Sequence, residues 1–310
     1  MKSLFVAGCQ RSGATAFIRY LNLHPRVLVC RERYKYIPRQ VTSGHFSFER
    51  ILDYSEEETN VPEEQFVELL ADKEPKELKW IGDKNPDYYK HFDGLLRRNP
   101  GGRFIILYRP LEEVAESFEA RAKDPEDHWP ARYDYEMSVK LWNLALNRTR
   151  EFIESGEGHR VLILDYHAFF DMDRDTITLL SRFLEIEFDE AILDSWRELG
   201  TGFENSRRSN ETLDEQQRTF VLENKDRAAE EWILERIAHQ LSEPDRVFSE
   251  QPESRELPET QRLREQNRRL RQRIKKLETR INELESSPYR RLLKKIVKLK
   301  RALANRRLKA

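Results

Sequence analysis

Residues 6–15 read VAGCQRSGAT, directly after the apolar start MKSLF. The stretch comes close to the phosphate-cradling pattern G-x-x-x-x-G-K-[ST]. Gly8 and Gly13 have the required separation and Thr15 holds the last position, but Ala14 stands where the lysine belongs. A glycine-rich turn that feeds a helix exposes several backbone N–H groups, and the helix dipole adds partial positive charge. That suits a phosphate or a similar oxyanion. The lysine that would reach a β/γ-phosphate is gone, and the cation sits earlier, at Arg11, inside the turn. Its planar fork matches phosphate or sulfate oxygens.

Outward from this turn the chain alternates. SLFVAGC (3–9) is a short apolar run ending in glycine, which suits a buried strand. GATAFIRYLNLHP (13–25) follows at helical spacing and stops at Pro25. RVLVC (26–30), KWIGDK (79–84), GRFIILYR (102–109) and HRVLILDY (159–166) read as four more strands. PLEEVAESFEARAK (110–123) reads as a helix with Pro110 in its first turn and acids at its start, and TITLLSRFLEIEF (176–188) as another. Strands alternating with helices predict an α/β fold, a parallel sheet of about five strands with helices on both faces. Ligands of such sheets bind at the carboxyl ends of the strands. That rule selects Gly8–Thr15, Arg31–Tyr34, Asp83–Tyr88, Arg109 and Asp165–His167.

At these strand ends a resemblance becomes specific. GCQRSGATAF (8–17) resembles the 5′-phosphosulfate loop of sulfotransferases that use 3′-phosphoadenosine 5′-phosphosulfate (PAPS), usually Gly-x-x-[Arg/Lys]-Ser-Gly-Thr-Thr, with Ala14 replacing the first threonine. FIILYRPLEEVAESF (104–118) resembles the family's 3′-phosphate segment, matched at Arg109 and Ser117. LHPRVLVCRERYKYIPRQ (23–40) resembles a stretch of glycan and tyrosylprotein sulfotransferases in which Glu32 matches the catalytic base. A carboxylate there could take a proton from an acceptor hydroxyl. WIGDKNPDYY (80–89) is similar to the family's [Glu/Asn]-Lys-[Ser/Thr/Asp]-Pro motif, and Lys84 matches a lysine that assists transfer by stabilising charge on the bridging oxygen. VLILDYHAFFDM resembles a Tyr-Glu-Asp-Leu strand end, with His167 in place of glutamate, an alternative base or a structural histidine. GFENSRRSN (202–210) resembles a late loop over the nucleotide, with contacts at Asn205, Ser206 and Arg207.

The resemblance covers about residues 1–245 and implies a P-loop-like fold. It implies catalytic roles for Glu32, Lys84 and Arg11. It implies donor binding by Arg11, Ser12, Gly13, Ala14, Thr15, Ala16, Arg109, Ser117, Ser206 and Arg207. PAPS is the implied co-substrate, with no metal. The implied reaction moves the sulfuryl group of PAPS to an acceptor hydroxyl, with carbohydrate or glycolipid favoured. One rival is an atypical P-loop kinase, disfavoured by the missing loop lysine and by the lack of a clear magnesium-binding aspartate strand. Another is a non-catalytic coiled-coil scaffold on a degenerate nucleotide-binding fold, which Ala14 and His167 favour.

Charged residues make up 36% of the chain, more than an ordinary globular domain carries, so part of it is expected to be non-globular. The net charge of −1 hides an asymmetry: residues 259–310 hold 19 Lys and Arg against 5 acids, and residues 1–258 hold 36 against 51. Residues 1–247 are expected to form the catalytic domain and 248–259, which include QPESRELPE, a linker. Over 260–286 Leu263, Leu270, Leu277 and Leu284 recur every seven residues, with Asn267, Ile274 and Ile281 at the other core position. Such a pattern favours a parallel two-stranded coiled coil, hence a homodimer. Residues 287–310 read as a basic amphipathic helix suited to an anionic membrane surface or an acidic partner. No nucleic-acid partner is expected. The two cysteines, Cys9 and Cys30, form neither a disulfide framework nor a zinc spacing, and no run reaches the roughly 18 apolar residues of a membrane span. A cytoplasmic protein is expected, peripheral to the inner membrane surface if the tail binds there.

Overall fold

A computed structural model describes residues 2–201 and 212–249. The chain opens with β1 (Lys2–Gly8), α1 (Ala14–Leu21) and β2 (Val27–Arg31). Two short helices, α2 (Phe48–Leu52) and α3 (Glu63–Ala71), fill the long connection to β3 (Trp80–Lys84). Then come α4 (Phe92–Arg98), β4 (Arg103–Tyr108), α5 (Leu111–Ala122), α6 (Tyr135–Phe152) and β5 (Val161–Asp165). The remaining helices are α7 (Tyr166–Phe170), α8 (Arg174–Leu184), α9 (Glu190–Thr201), α10 (Glu215–Asn224), α11 (Arg227–Ser242) and α12 (Pro244–Ser249).

The five strands form one parallel sheet in the order β2-β3-β1-β4-β5. The expected α/β class and all five strands are therefore present. Successive side chains of a strand face opposite sides, and the two cores follow this alternation. Phe5, Ala7, Ile81, Phe104 and Ile106 join one core with residues of α3 to α6, α10 and α11. Leu4, Val6, Trp80, Ile105 and Leu107 join the other with α1, α7, α8 and α9. Burial on both faces explains why the strands read as continuous apolar runs rather than alternating ones. Register aligns their carboxyl ends: Val6 with Lys84, Arg31 with Lys84, Gly8 with Leu107, and Tyr108 with Asp165.

Two helices end earlier than the periodicity predicts, each because a polar residue leaves the helix to bind a strand. The helix expected over 13–25 stops at Leu21, where Asn22 pairs both amide groups with Val29 of β2 (2.9 and 2.8 Å). The helix expected over 176–188 spans Arg174–Leu184 and is capped by Glu185 in a left-handed conformation, φ 53°. Glu185 gathers Lys2, Lys79 and Arg103 at the amino ends of β1, β3 and β4 (3.2, 2.9 and 2.5 Å). The expected linker runs from 248 and so lies almost wholly beyond the described residues, and the coiled coil and basic tail lie entirely beyond them.

Candidate active site

The site is built from residues at or directly after the carboxyl ends of β1, β2, β3, β4 and β5. After β1 the chain turns through Gly8 (φ 141°), Arg11 (φ 68°) and Gly13 (φ 90°) before α1 begins. Gly13 cannot be replaced freely: a Cβ would lie 2.6 Å from the Tyr166 ring. The first α1 ladder bond runs from the Phe17 N–H to the Gly13 carbonyl, 2.9 Å. The amides of Gly13, Ala14, Thr15 and Ala16 precede the ladder and project from the helix end, as anion-binding amides do.

Two residues of this loop are fixed by the fold. The Ser12 N–H donates to the Cys9 carbonyl (3.1 Å). Its hydroxyl is buried without a hydrogen-bond partner, lining a cavity of about 10 Å³ beneath the turn, room for about one water. Ser12 shapes the turn and offers no outward donor. The Ala14 methyl is buried in the core under α1, so at this position only the amide can face a ligand.

The β4–α5 junction closes against the loop. Arg11 Nε donates to Ser117 Oγ at 2.9 Å, and an Arg109 terminal nitrogen donates to the Arg11 carbonyl at 3.1 Å. Arg109 also donates to Glu113 (2.9 Å), accepts at its carbonyl from the Trp142 indole N–H (2.9 Å), and lies over the Tyr166 ring at 4.4 Å. Arg11, Ser117 and Arg109 are thus one cluster, with Tyr166 wedged between Gly13 and Arg109. Two guanidinium groups beside free helix amides make a site for a polyanion.

The β2 and β3 ends form the second half. Glu32 N–H extends the ladder by bonding the Lys84 carbonyl (2.8 Å), and the chain then turns at Glu32 with φ 52°. A left-handed residue other than glycine costs on the order of 1–3 kcal/mol and persists where its surroundings over-determine it. Here Thr59 donates to the Glu32 carbonyl (2.7 Å), and the Arg33 amide donates to Asp83 (2.9 Å). The Glu32 carboxylate meets Lys84 at 2.7 Å and Lys35 at 3.2 Å. Burial alone would raise this carboxyl, but the two ammonium groups outweigh it and hold it below its ordinary value. Burial lowers the Lys84 ammonium, with Glu32 opposing. The result is an ionised carboxylate, only 19% exposed, that can accept a proton once Lys84 turns to another anion.

His167 does not join Glu32. Its Nε2 lies 2.6 Å from Glu113, the carboxylate that also holds Arg109. Among the residues not expected from sequence, Glu113 was findable as the i+4 partner of Arg109. Tyr166, Asp83 and Tyr88 fall in the strand-end ranges but without an assigned role, and Lys35 and Trp142 carried no such signal. Asn205, Ser206 and Arg207 lie outside the described residues.

The chain is similar to three solved structures. One is the sulfotransferase domain from the Synechococcus PCC 7002 olefin synthase (16% identity, covering 72% of this chain and 93% of that one, TM-score 0.43). The second is sulfotransferase STF1 from Mycobacterium tuberculosis H37Rv (16%, 73% and 76%, TM-score 0.44). The third is mouse sulfotransferase SULT7A1, complexed with PAP (13%, 64% and 64%, TM-score 0.40). No curated protein matches the chain. The model of the sulfotransferase family matches residues 3–190. That span is more than half of the 310 residues and holds the loop, Glu32, Lys84, Arg109 and Ser117, and by it the chain belongs to the sulfotransferase family.

Proposed function

We propose that the protein transfers the sulfuryl group of PAPS to a hydroxyl of a carbohydrate or glycolipid. The observation that carries the donor assignment is the Arg11–Ser117 bond of 2.9 Å. It joins the loop, suited to the 5′-phosphosulfate, to the β4–α5 segment, suited to the 3′-phosphate. Both ends of a bisphosphorylated nucleotide thereby find donors in one cluster. Arg109, held by Glu113 and Trp142, faces the 3′-phosphate with Ser117. Arg11 and the amides of Gly13 to Ala16 face the 5′ end.

On the other side Glu32 takes the proton of the acceptor hydroxyl as its oxygen attacks sulfur. Lys84, 2.7 Å from Glu32, stabilises the charge left on the bridging oxygen as the S–O bond to the nucleotide breaks. The protein's work is positioning and electrostatics, as in phosphoryl transfer. Residues 23–40 resemble both glycan and tyrosylprotein enzymes, and the basic segment 289–310, suited to a membrane surface, favours a glycan or glycolipid assembled there. The heptads of 260–286 support a parallel homodimer. Two free, buried cysteines suit the cytoplasm.

The buried Ala14 methyl favours one second reading, a scaffold that keeps the fold without the chemistry. Calorimetry with 3′,5′-adenosine bisphosphate and turnover of labelled PAPS separate the two. The wild-type chain binds the bisphosphate and releases label from PAPS. R11A and R109A each lose about a hundredfold or more in affinity, the size of two charged hydrogen bonds. Unchanged affinity in both variants defeats the donor assignment, and binding without any turnover leaves the scaffold.

A further inference from the structure

The turn that carries Glu32 has an unusual support. Asp83 lies in β3 beside Cys30 of β2, fully buried, one residue before Lys84. One of its oxygens accepts the Arg33 amide at 2.9 Å, and the other accepts the Tyr88 hydroxyl at 2.7 Å. Among the described residues it has no ion-pair partner. Arg33, whose amide it takes, is itself buried and spends its guanidinium on the carbonyls of Ile51 and Asp53 and on Glu58 (2.8, 2.6 and 2.7 Å). The residue after Glu32 is therefore fixed from two directions, its amide by β3 and its side chain by the α2 segment.

We propose that Asp83 is a positioning residue for Glu32 and Lys84, acting through the Arg33 amide and through its own negative charge. Removing the amide acceptor frees the left-handed turn that aims Glu32. The charge argument is a count. Glu32 alone faces two cations, Lys84 and Lys35. With Asp83 ionised the four groups balance. With Asp83 neutral the surplus cation clamps Glu32 as a weak base.

The groups that face Asp83 are Tyr88, Arg33, Lys84, Glu32, Cys30 and Tyr34. Burial pushes its carboxyl up to about 7, against the hydrogen bonds that favour the ion. A protonated Asp83 can still accept from Arg33 at one oxygen while donating to Tyr88, so both forms fit the site. The sign follows. The folded state holds the Asp83 proton more tightly than the unfolded chain does. Ionised Asp83 therefore lowers folding stability at pH 8, and stability rises as pH falls through 7. Activity and stability pull in opposite directions at this residue.

This inference rests on the reading of Glu32 as the base, and the test separates the two. In the full chain, D83N keeps an oxygen for the Arg33 amide and removes the charge. Its kcat for labelled PAPS falls about tenfold to a hundredfold. Its KM for PAPS and its affinity for 3′,5′-adenosine bisphosphate stay at wild-type values. The acid limb of kcat/KM near neutral pH disappears, and Tm at pH 8 is unchanged or higher. Y88F, which removes the hydroxyl that orients Asp83, lowers kcat in the same way and serves if D83N does not fold. The proposal is overturned if kcat and the acid limb are those of the wild type. It is also overturned if Tm at pH 8 and nucleotide affinity fall together with kcat, which marks a merely structural residue. A wild-type chain that does not bind the bisphosphate counts against the donor assignment instead. There, amide exchange decides for Asp83: faster exchange at residues 32–34 in D83A than in D83N sustains it, and equal rates overturn it.

Discussion

The two halves of the site hold charge in opposite ways. On the proposed nucleotide side the cations outnumber the carboxylates they touch: among the described residues Arg11 donates to the Ser117 hydroxyl, and Arg109 donates to the Arg11 carbonyl and to one carboxylate, Glu113. On the transfer side charge is enclosed and balanced. Lys84 and Asp83 are buried, and Glu32 is nearly so, each held by named partners at 2.7 to 2.9 Å. The first arrangement suits binding, where an incoming anion supplies the missing charge. The second suits chemistry, where a carboxylate is kept ionised by a lysine that an incoming anion can draw away. The difference is that between a site completed by its ligand and one complete before the ligand arrives.

The sharpest way to break the comparison is E32Q. It keeps shape and removes the base. Turnover of PAPS is expected to drop by about a thousandfold, within the range for a lost general base. Calorimetry should find bisphosphate affinity unchanged, and a parallel loss of affinity would show that the halves are not separate.

A smaller effect is expected at Glu113, which faces Arg109 and His167. E113Q keeps an oxygen for Arg109 but removes a negative charge beside the position proposed for the 3′-phosphate, so the bisphosphate should bind about threefold tighter, the size of one partly exposed ion pair. E113A loses the orienting oxygen too and should bind more weakly. Titrations at low and high salt check this, because the gain in E113Q must shrink as salt rises.

The smallest effect is expected far from both halves, at Glu185. Burial would raise this carboxyl, but Lys79, Arg103 and Lys2 outweigh it and hold it down to about 2, against its ordinary 4.5. A lowered carboxyl stabilises the fold above its ordinary value, and that contribution is lost as pH falls toward 2. E185Q should lower Tm at pH 7 by only about 2–4 °C, because the cluster is partly exposed. The difference from wild type should vanish below about pH 2, and PAPS turnover per folded molecule should not change. A change in turnover would mean that the amino ends of the strands are tied to the site.

Much of the nucleotide side was legible in sequence because it is local. Arg11 lies inside the turn, Arg109 directly follows β4, and Ser117 is placed by helical spacing within α5. Glu32 and Lys84 were legible for the same reason, each at a strand end. What joins them was not. Asp83 meets the Arg33 amide across 50 residues, Glu113 meets His167 across 54, and Thr59 reaches back to Glu32 across 27. Such contacts follow from strand order, which neither periodicity nor motif spacing encodes. Ser12 shows the opposite case: the motif marks its position, and only the structure shows that the turn takes its amide and buries its hydroxyl.

One contact bears on product release. Tyr166 is packed against Gly13 on one side and Arg109 on the other, so the loop, the ring and the guanidinium form a single column. Arg109 is only 15% exposed and is held by Glu113, the Arg11 carbonyl and the Tyr166 ring, so under the proposed function the spent nucleotide leaves an arginine that its protein partners keep in place.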